Sequence, residues 1–267
     1  MAVALATACL CAGANLTALP EHLRPDPFGA IVEPDRPAWA APSADVVLES
    51  ARAAYASCHI VATIPEGGRY ELELQPFPVA SGIQAEVYRE WFHYLPSLQR
   101  YLPDALIPVP TPYRSQLPEP DNRIPKQTAQ AFWLDVWVPR TAEPGAYQTT
   151  ATLHSGGKTV RLPIKLRVLA AVVPPEDAIA IDHNSYGTYW LADQYPALAK
   201  RLGEKFFTSD EFFGLIHSYH GIFYEHRGVF HQLGYGHAGK VGPEFAPRLE
   251  GSGKRKHVAD WTLFDRH

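Results

Sequence analysis

Two short groups of polar and aromatic residues directly follow predicted strands in the last third of the sequence. The first group follows the apolar run Ala178–Ile181, and the second follows a predicted strand at Val229–Leu233. The carboxyl ends of parallel strands meet on one face of an α/β unit, and binding sites form there. In the alternative interpretation, the polar side chains cap turns and the aromatic side chains pack in a core. The predicted substrate-binding residues are Asp182, His183, Asn184, Tyr186, Tyr235 and His237.

Several histidines near these groups raise the question of a metal site. His217 and His220 lie three residues apart on a predicted helix, and His226, His231 and His237 follow. The sequence contains neither a His-Glu-x-x-His pattern nor a paired-cysteine spacing, which are the patterns that indicate zinc. We therefore predict no metal ion and no cofactor, and assign these histidines to the polar edges of an aromatic-rich helix and loop.

The elements that would position the predicted pocket alternate between strand and helix. A helix is predicted at Asp193–Leu202, and Ser209 is a favourable N-cap for a second helix that ends near Glu225. With a strand on either side, this order is typical of a parallel α/β unit. A (β/α)₈ barrel needs eight such repeats, so residues 175–267 are predicted to be the first, incomplete part of one.

The strongest strand signal of the sequence lies at Gln130–Pro139. Apolar side chains alternate there with Trp133, Asp135 and Trp137, which is the two-residue period of a strand. The tryptophans could form a sugar-stacking platform, or could be buried at a sandwich core or domain interface, which large aromatics favour. Asp135 is predicted to have a buried partner, such as a backbone or arginine group, because an unpaired buried carboxylate is unfavourable.

Further strands and turns around this segment predict an antiparallel β-sandwich of about seven strands. The turn Glu143-Pro144-Gly145 predicts that the flanking strands pair, as part of a three-stranded meander. Tyr55–Ile64 and Tyr70–Leu74 are predicted to pair as a hairpin, and Gln84–His93 is a further strand. Tyr101–Pro125 is rich in proline and is predicted to be an irregular functional or interface loop.

Composition restricts the partners and the location of the protein. The net charge of −4 gives no support for nucleic-acid binding, and no segment is apolar enough for a membrane span. The 12 histidines, 13 tyrosines and 6 tryptophans suit polar ligands such as sugars. Residues 1–27 are predicted to be a leader that resembles a secretory signal, so we expect export to the periplasm or outside the cell. The alternative is an arbitrary start of the chain and a cytoplasmic location, with the sandwich at residues 28–174 in either case.

Four strand-and-turn segments of the sandwich carry a resemblance to a known family: Tyr88–His93, Tyr101–Pro108, Phe132–Pro139 and Pro144–Tyr147. They resemble the N-terminal domain of glycoside hydrolase family 123, and the resemblance covers roughly residues 28–240. It implies a β-sandwich joined to a catalytic (β/α)₈ barrel, and a carbohydrate substrate with β-linked N-acetylgalactosamine. In the family, the 2-acetamido oxygen attacks the anomeric carbon, while an adjacent Asp-Glu pair orients that group and protonates the leaving oxygen.

Two pairs of adjacent Asp and Glu residues occur within residues 175–267, and neither pair is assigned to this catalytic role. Glu176-Asp177 has the reverse order, and Asp210-Glu211 is explained as the first turn of a helix. The catalytic residues are therefore unknown, and the pair is expected in a part of the barrel that follows this chain. The first hypothesis is the N-terminal fragment of a glycoside hydrolase acting on N-acetylhexosaminide-containing glycans. The second is a non-catalytic carbohydrate-binding or interaction module.

Overall fold

The computed structural model describes residues 13–32, 46–174, 182–184, 190–225 and 229–231. The chain divides into two compact units, Met1–Val173 and Pro174–His267. Among the described residues, the first unit is built from strands, and the second contains three α-helices, one 3₁₀ helix (Gly203–Thr208) and two short strands. The fold is therefore mainly β, in agreement with the prediction.

Ten strands lie within the described part of the first unit and form two five-stranded sheets. The first sheet has the order β1-β3-β8-β5-β6, and the second has the order β2-β10-β9-β4-β7. Neighbouring strands are antiparallel except β2 and β10, which are parallel. The strands are β1 (Asn15–Pro20), β2 (Val46–Arg52), β3 (Ala54–Thr63), β4 (Gly68–Leu74), β5 (Gln84–Leu95), β6 (Arg100–Val109), β7 (Tyr113–Leu117), β8 (Ala129–Val138), β9 (Gly145–Ser155) and β10 (Lys158–Val172).

The hydrophobic core lies between the two sheets. Leu134 and Val136 of β8 are fully buried there, as are Leu153 of β9 and Ile164 of β10. Burying one such side chain stabilises the fold by roughly 1.5–3 kcal/mol. The alternation predicted for β8 is thus confirmed, with its apolar side chains facing the second sheet.

Two predicted strand pairings are wrong, although the strands themselves exist. β3 and β4 were predicted to form a hairpin, and β8 and β9 to be neighbours in a meander, but each pair is divided between the two sheets. The turns at Pro65–Gly68 and at Glu143–Gly145 therefore carry the chain from one sheet to the other. The predicted and the observed strand pairings bury the same face of each strand, so the alternation pattern does not distinguish the two pairings. The β9–β10 hairpin is confirmed, and Gly156 and Gly157 form its turn at φ values of 55° and 74°.

The proline-rich segment Tyr101–Pro125, predicted to be irregular, contains most of β6 and all of β7. Both are the outermost strands of their sheets. An edge strand tolerates proline because one side of its backbone has no partner strand, and β6 contains Pro103 and Pro108. Proline frequency therefore indicated edge strands here and not the absence of strands.

The outer face of the first sheet has two ends that differ in burial. At the covered end, consecutive residues are buried whichever way they point, including Val61 and Ala62 of β3 and Gln130 and Ala131 of β8. The loops at residues 20–32 and 118–128 lie over this end. Their apolar side chains join a second cluster on the sheet: Leu19, Leu23, Val61, Phe92, Ile124, Ala129 and Ala131.

At the open end of the same face, burial alternates along the strands. Trp133, Asp135 and Trp137 of β8 are half-buried on this side, and Tyr55 of β3 is 60% exposed. Both tryptophans therefore lie on the outer face of the sheet and not between the sheets.

The second unit contains one parallel pair of strands, β11 (Asp182–Asn184) and β12 (Val229–His231), among its described residues. Between them lie α1 (Trp190–Gln194), α2 (Pro196–Leu202) and α3 (Asp210–Glu225). The helix predicted at Asp193–Leu202 is thus two helices, because the ring of Pro196 is accepted in a first turn but not in a helix interior. The order strand, helix, strand is confirmed, and the complete barrel stays a prediction.

Helix α3 begins as the sequence predicts. Ser209 Oγ accepts a hydrogen bond from the backbone N–H of Phe212 at 3.1 Å, which is the N-cap arrangement. The helices pack around the buried side chains of Leu191, Phe206, Phe212 and Ile216. None of the described helices has the length and hydropathy needed to cross a membrane.

Candidate functional site

The first predicted group of site residues does not follow a strand, as the sequence predicted, but forms one. Asp182, His183 and Asn184 form β11 and pair in parallel register with Val229–His231. The carboxyl ends of both strands, at Asn184 and His231, therefore lie side by side, as the pocket hypothesis requires. The sequence placed Asp182, His183 and Asn184 after a strand that ends at Ile181, whereas they lie within β11, so their assignment to a pocket stays a prediction. Tyr186, Tyr235 and His237 lie outside the described residues, so the pocket itself stays a prediction.

The connection between these strands carries an aromatic cluster with two phenols. The ring of Trp190 packs edge-on against Tyr219 with 5.0 Å between centroids, and the hydroxyls of Tyr195 and Tyr219 are 3.5 Å apart. Burial, and then the hydrogen bond with Tyr195, raise the pKa of Tyr219 to about 12. Both the burial and this pKa assign Tyr219 to packing and hydrogen bonding, and not to proton transfer near neutral pH.

Within the described ranges, one group of side chains has the composition of a cation site. Ligand atoms of Glu71, Glu73 and His154 lie within 4.8 Å of one another on β4 and β9. The carboxylate of Glu71 is already ion-paired with Arg114, and Nδ1 of His154 is 3.1 Å from the hydroxyl of Thr159. All three are partly exposed. These protein partners account for the group as a surface network, without a metal ion.

The tryptophans of the open end have polar partners within the same face. Trp133 Nε1 and Ser57 Oγ each donate to Oδ1 of Asp135 at 2.6 Å. The partners of Asp135 are therefore a hydroxyl and the neighbouring indole, and not the predicted backbone or arginine group. Trp137 packs against Tyr55 with 4.8 Å between ring centroids. The carboxylate and indole are satisfied within the protein, which favours a packing role for Trp133.

A buried histidine–glutamate pair lies where the open end meets the covered end. His59 Nδ1 is 2.7 Å from Oε1 of Glu90, and its Nε2 is 3.1 Å from the carbonyl oxygen of Glu21. Both ring nitrogens of His59 therefore face oxygen atoms of the protein, which fix the orientation of the ring. The second oxygen of Glu90, Oε2, is buried without a hydrogen-bond partner in the described part of the chain.

A second buried charge pair lies on the opposite face of the same strand. Arg89 precedes Glu90 in β5 and points between the sheets, where its Nη1 donates to Oε2 of Glu119 at 2.9 Å. Its Nη2 donates to the exposed Asp121 at 2.9 Å. The hydroxyl of Tyr70 donates to Oε1 of Glu119 at 2.8 Å. The hydroxyl of Tyr113 donates to the same oxygen at 3.4 Å. Glu119 is thus a buried acceptor for three groups, which identifies it as a structural carboxylate.

The ionisation of this cluster follows from its contacts. Burial, and then the neighbouring Glu119 carboxylate, raise the pKa of Tyr70 above its ordinary range. The hydrogen bond from Arg89 lowers the pKa of Asp121. On the core side of β3, burial raises the pKa of the Cys58 thiol to about 12, with a smaller contribution from Asp135. Cys58 is therefore a packed apolar side chain and not a nucleophile.

The sequence did not predict an aromatic cavity that lies beside the covered end of the first sheet. It has a volume of about 450 Å³ and is lined by residues from the 20–32 loop and from the β5–β6 hairpin. Phe28, Tyr94 and Tyr101 supply three rings, and Asp26, Gln99 and Arg100 supply polar groups. These residues come from two distant segments, so no local spacing pattern could have indicated the cavity. The one available signal was the general excess of tyrosine.

The comparison with protein families gives one match, at the middle of the sandwich. Residues 104–155 match the model of the glycoside hydrolase 123 N-terminal domain. This range runs from β6 to the end of β9 and includes the loop that bears Glu119 and Asp121. It confirms the resemblance found in the sequence. No curated protein matches the chain.

A solved structure with a similar fold comes from Clostridium perfringens. It is a family 123 glycoside hydrolase whose structural analysis concerns glycolipid glycan hydrolysis, and it is 14% identical to this chain with a TM-score of 0.54. The similarity covers 81% of this chain and 36% of that protein. The chain therefore spans about a third of the length of that hydrolase, and at this identity the likeness concerns the fold.

Two other solved structures share less with the chain. The Pseudomonas fluorescens alkylpurine DNA glycosylase AlkC is 7% identical with a TM-score of 0.23, over 46% of this chain and 29% of that one. The C-terminal domain of the Streptococcus agalactiae AgI/II polypeptide BspA is 10% identical with a TM-score of 0.25, over 43% of each. Both scores are too low to support an argument about fold or function.

Proposed function

We propose that the chain is the N-terminal part of a glycoside hydrolase of the family 123 type, acting on glycans that contain N-acetylhexosamine. The observation that carries this proposal is the extent of the fold similarity. It covers 81% of the 267 residues, which is more than the unit Met1–Val173 contains. The likeness therefore reaches into the second unit, whereas a sandwich alone is shared by proteins of many functions.

In this proposal, the sugar binds at the carboxyl ends of β11 and β12. The parallel register places the ends of these strands side by side, which is where barrel enzymes bind their substrates. Carboxylate, amide, imidazole and phenol groups can all hydrogen-bond to sugar hydroxyls. The residues assigned to binding are those predicted from the sequence: Asp182, His183, Asn184, Tyr186, Tyr235 and His237.

The acid pair of the reaction is assigned to a part of the barrel beyond residues 1–267. The chain spans 36% of the length of the Clostridium perfringens hydrolase, which supports this assignment. Asp210 and Glu211 lie in the first turn of α3, and Glu211 accepts a hydrogen bond from Arg201 at 3.2 Å. Both residues are therefore explained by the start of the helix. Glu176 and Asp177 lie outside the described residues. The reaction proposed is displacement of the leaving oxygen by the substrate's own 2-acetamido oxygen.

In this proposal, the sandwich supports the barrel. The range proposed for a cleaved leader is narrower than residues 1–27. β1 (Asn15–Pro20) pairs with β3 along its whole length, and Leu16 and Ala18 are buried in the core. Removal of all of residues 1–27 would delete this strand. We therefore infer that a cleaved leader, and with it export from the cytoplasm, requires a cleavage point before Asn15.

The proposal is tested by comparing the chain 1–267 with the longer open reading frame obtained by sequencing the locus. Both are assayed with p-nitrophenyl N-acetyl-β-galactosaminide, N-acetyl-β-glucosaminide and β-galactoside. We expect the longer protein to hydrolyse the acetamido sugars and to be inhibited by a thiazoline that mimics the cyclised intermediate. The β-galactoside lacks the acetamido nucleophile and should not react. Hydrolysis by 1–267 alone, or equal hydrolysis of the β-galactoside, would contradict the proposal.

A non-catalytic carbohydrate-binding module is the second candidate function. This candidate is favoured by the aromatic cavity of the first unit, because the cavity has no role in the hydrolysis proposed above. A stop codon directly after His267, together with saccharide binding and no hydrolysis, would establish this second candidate in place of the first.

A further inference from the structure

We propose that the aromatic cavity of the sandwich binds one to two sugar residues of a glycan. The aromatic cavity is the space lined by Asp26, Phe28, Tyr94, Gln99, Arg100 and Tyr101. Its volume of about 450 Å³ lies within the range of small-molecule sites. The choice of N-acetylhexosamine as the sugar rests on the proposed function, whereas the cavity and its sugar-like chemistry do not.

The rings form two walls that meet at Tyr101. The centroids of Tyr94 and Tyr101 are 5.1 Å apart with their planes at 60°, and those of Phe28 and Tyr101 are 6.2 Å apart at 71°. Phe28 is 44% exposed and Tyr94 is 50% exposed. Aromatic faces left open to solvent on two sides of a concave space are suited to the apolar C–H face of a pyranose ring.

The polar groups of the cavity are mixed in sign. Asp26 supplies a carboxylate, Arg100 a guanidinium and Gln99 an amide. One positive and one negative group favour a neutral ligand with many hydroxyls over an anion or a cation. Arg100 is already held in place, since its Nε donates to the carbonyl oxygen of Leu98 at 3.1 Å. A lipid chain would desolvate the carboxylate of Asp26, which is unfavourable. Rings beside carboxylate, amide and guanidinium groups therefore fit a saccharide.

The first wall is held in place by its own loop. Oδ1 of Asp26 accepts hydrogen bonds from the backbone N–H of Phe28 at 2.8 Å and of Ala30 at 2.9 Å. The carbonyl oxygen of Pro27 accepts from the N–H of Ala129 at 2.9 Å, which ties this loop to β8. The hydrogen bonds from Phe28 and Ala30 both use Oδ1, so we assign Oδ2 of Asp26 to a sugar hydroxyl.

The second wall is held by the covered end. Tyr101 packs on the second hydrophobic cluster, and Asn122 bonds to both the N–H and the carbonyl of Phe92 at 3.0 Å. Both walls are thus fixed before a ligand arrives, which reduces the entropy lost on binding.

The test measures binding to the whole chain 1–267 and does not require hydrolysis. Isothermal titration calorimetry and saturation-transfer NMR are performed with N-acetylgalactosamine, N,N′-diacetylchitobiose and cellobiose. We expect millimolar binding of at least one acetamido sugar, with saturation transfer to its ring protons. Tyr94→Ala and Phe28→Ala should each weaken binding about tenfold. Both side chains are largely exposed, so the variants should remain folded, which thermal unfolding checks.

The matched control is Tyr55→Ala. Tyr55 is a more exposed aromatic residue of the same sheet, 60% exposed at the open end, and its loss should leave the affinity unchanged. Absence of binding by all three saccharides would overturn the proposal. So would unchanged affinity in Tyr94→Ala, or loss of binding in Tyr55→Ala alone, which would move the site to the open end.

The outcomes separate this inference from the proposed function. If Tyr94→Ala weakens saccharide binding but the longer protein hydrolyses none of the substrates, the cavity proposal is supported and the hydrolase proposal is contradicted. Hydrolysis by the longer form with no saccharide bound by 1–267 overturns the cavity and retains the hydrolase. If cellobiose bound as tightly as N,N′-diacetylchitobiose, the cavity would still be a sugar site. The preference for N-acetylhexosamine would then be overturned.

Discussion

The covered end and the open end of the first sheet belong to the same strands but differ in what lies over them. In β8, Ala129–Phe132 are buried without interruption, and Trp133–Val138 then alternate between half-buried and buried. β3 shows the same change, from continuous burial at Cys58–Ala62 to an exposed Tyr55. Because these strands are antiparallel and paired in register, the change falls at one place across the sheet.

This difference shows how the sandwich separates structural polar groups from surface aromatic groups. At the covered end, Gln130 donates to the carbonyl oxygens of Glu90 and Ala131 at 2.8 Å, and Gln127 also bonds within the protein. At the open end, Tyr55 is left with one face in solvent. A buried polar side chain therefore marks the covered end, and an exposed ring marks the open end.

The largest effect should come from breaking the buried charge pair of Arg89 and Glu119 between the sheets. Glu119→Ala leaves the guanidinium of Arg89 buried beside two tyrosines without its buried carboxylate partner, which should lower the free energy of unfolding by about 3–5 kcal/mol. Urea unfolding followed by tryptophan fluorescence measures this. A change below about 1 kcal/mol would show that this pair behaves as a solvated surface pair.

Removing an apolar side chain of the covering loop should have the next largest effect. Leu23 is 1% exposed in the second hydrophobic cluster, so Leu23→Ala should lower the free energy of unfolding by about 3 kcal/mol. The comparison variant is Val47→Ala, because Val47 is 62% exposed. Similar losses in both variants would contradict the contrast in burial.

A smaller, pH-dependent effect is expected for Asp121. Its pKa is lowered in the folded protein by Arg89, so its contribution is complete above the unfolded pKa of about 4. This contribution is lost as the pH falls through the folded pKa. Because the side chain is 59% exposed, Asp121→Asn should lower stability at pH 7 by less than about 1 kcal/mol. Chemical denaturation at pH 7 and at about pH 2 should show the difference disappear in acid, and a difference that grows in acid would refute the assignment.

The smallest effect on stability is expected at the open end. Tyr55→Ala removes one ring from the pair with Trp137, whose interaction is of the order of 0.5–1.5 kcal/mol for aromatic pairs. Since Tyr55 is mostly exposed, we expect a loss at the lower limit of that range, measured by thermal unfolding. A loss as large as that of Leu23→Ala would mean that the two ends are equally buried.

The parts of the fold that could be predicted depend on short-range patterns. The alternation in β8, the Gly156-Gly157 hairpin and the Ser209 cap each follow from residues a few positions apart. Strand pairing does not, because both sheets contribute similar alternating strands to one core. The covered end was equally inaccessible, because the alternation of β3 and β8 stops where loops from elsewhere in the chain lie over the sheet.

The candidate sites divide in the same way. Neighbouring strand ends at β11 and β12 follow from the order strand, helix, strand, and the parallel register agrees with that prediction. The buried pair of Arg89 and Glu119 and the aromatic cavity could not be predicted, since each combines residues about 30 or more positions apart. A proline on either side of Glu119 and a surplus of tyrosine were the only local signs.

The parallel pairing of β2 with β10 determines when the sandwich can close during synthesis. Val46 pairs with Ile164, so β2 leaves the ribosome long before its partner exists. Until then it is a strand edge able to associate with other chains. Contacts this distant in sequence also slow folding. The second sheet is therefore completed by the last strand before Pro174, and nascent chains that stop earlier should depend on chaperones to stay unaggregated.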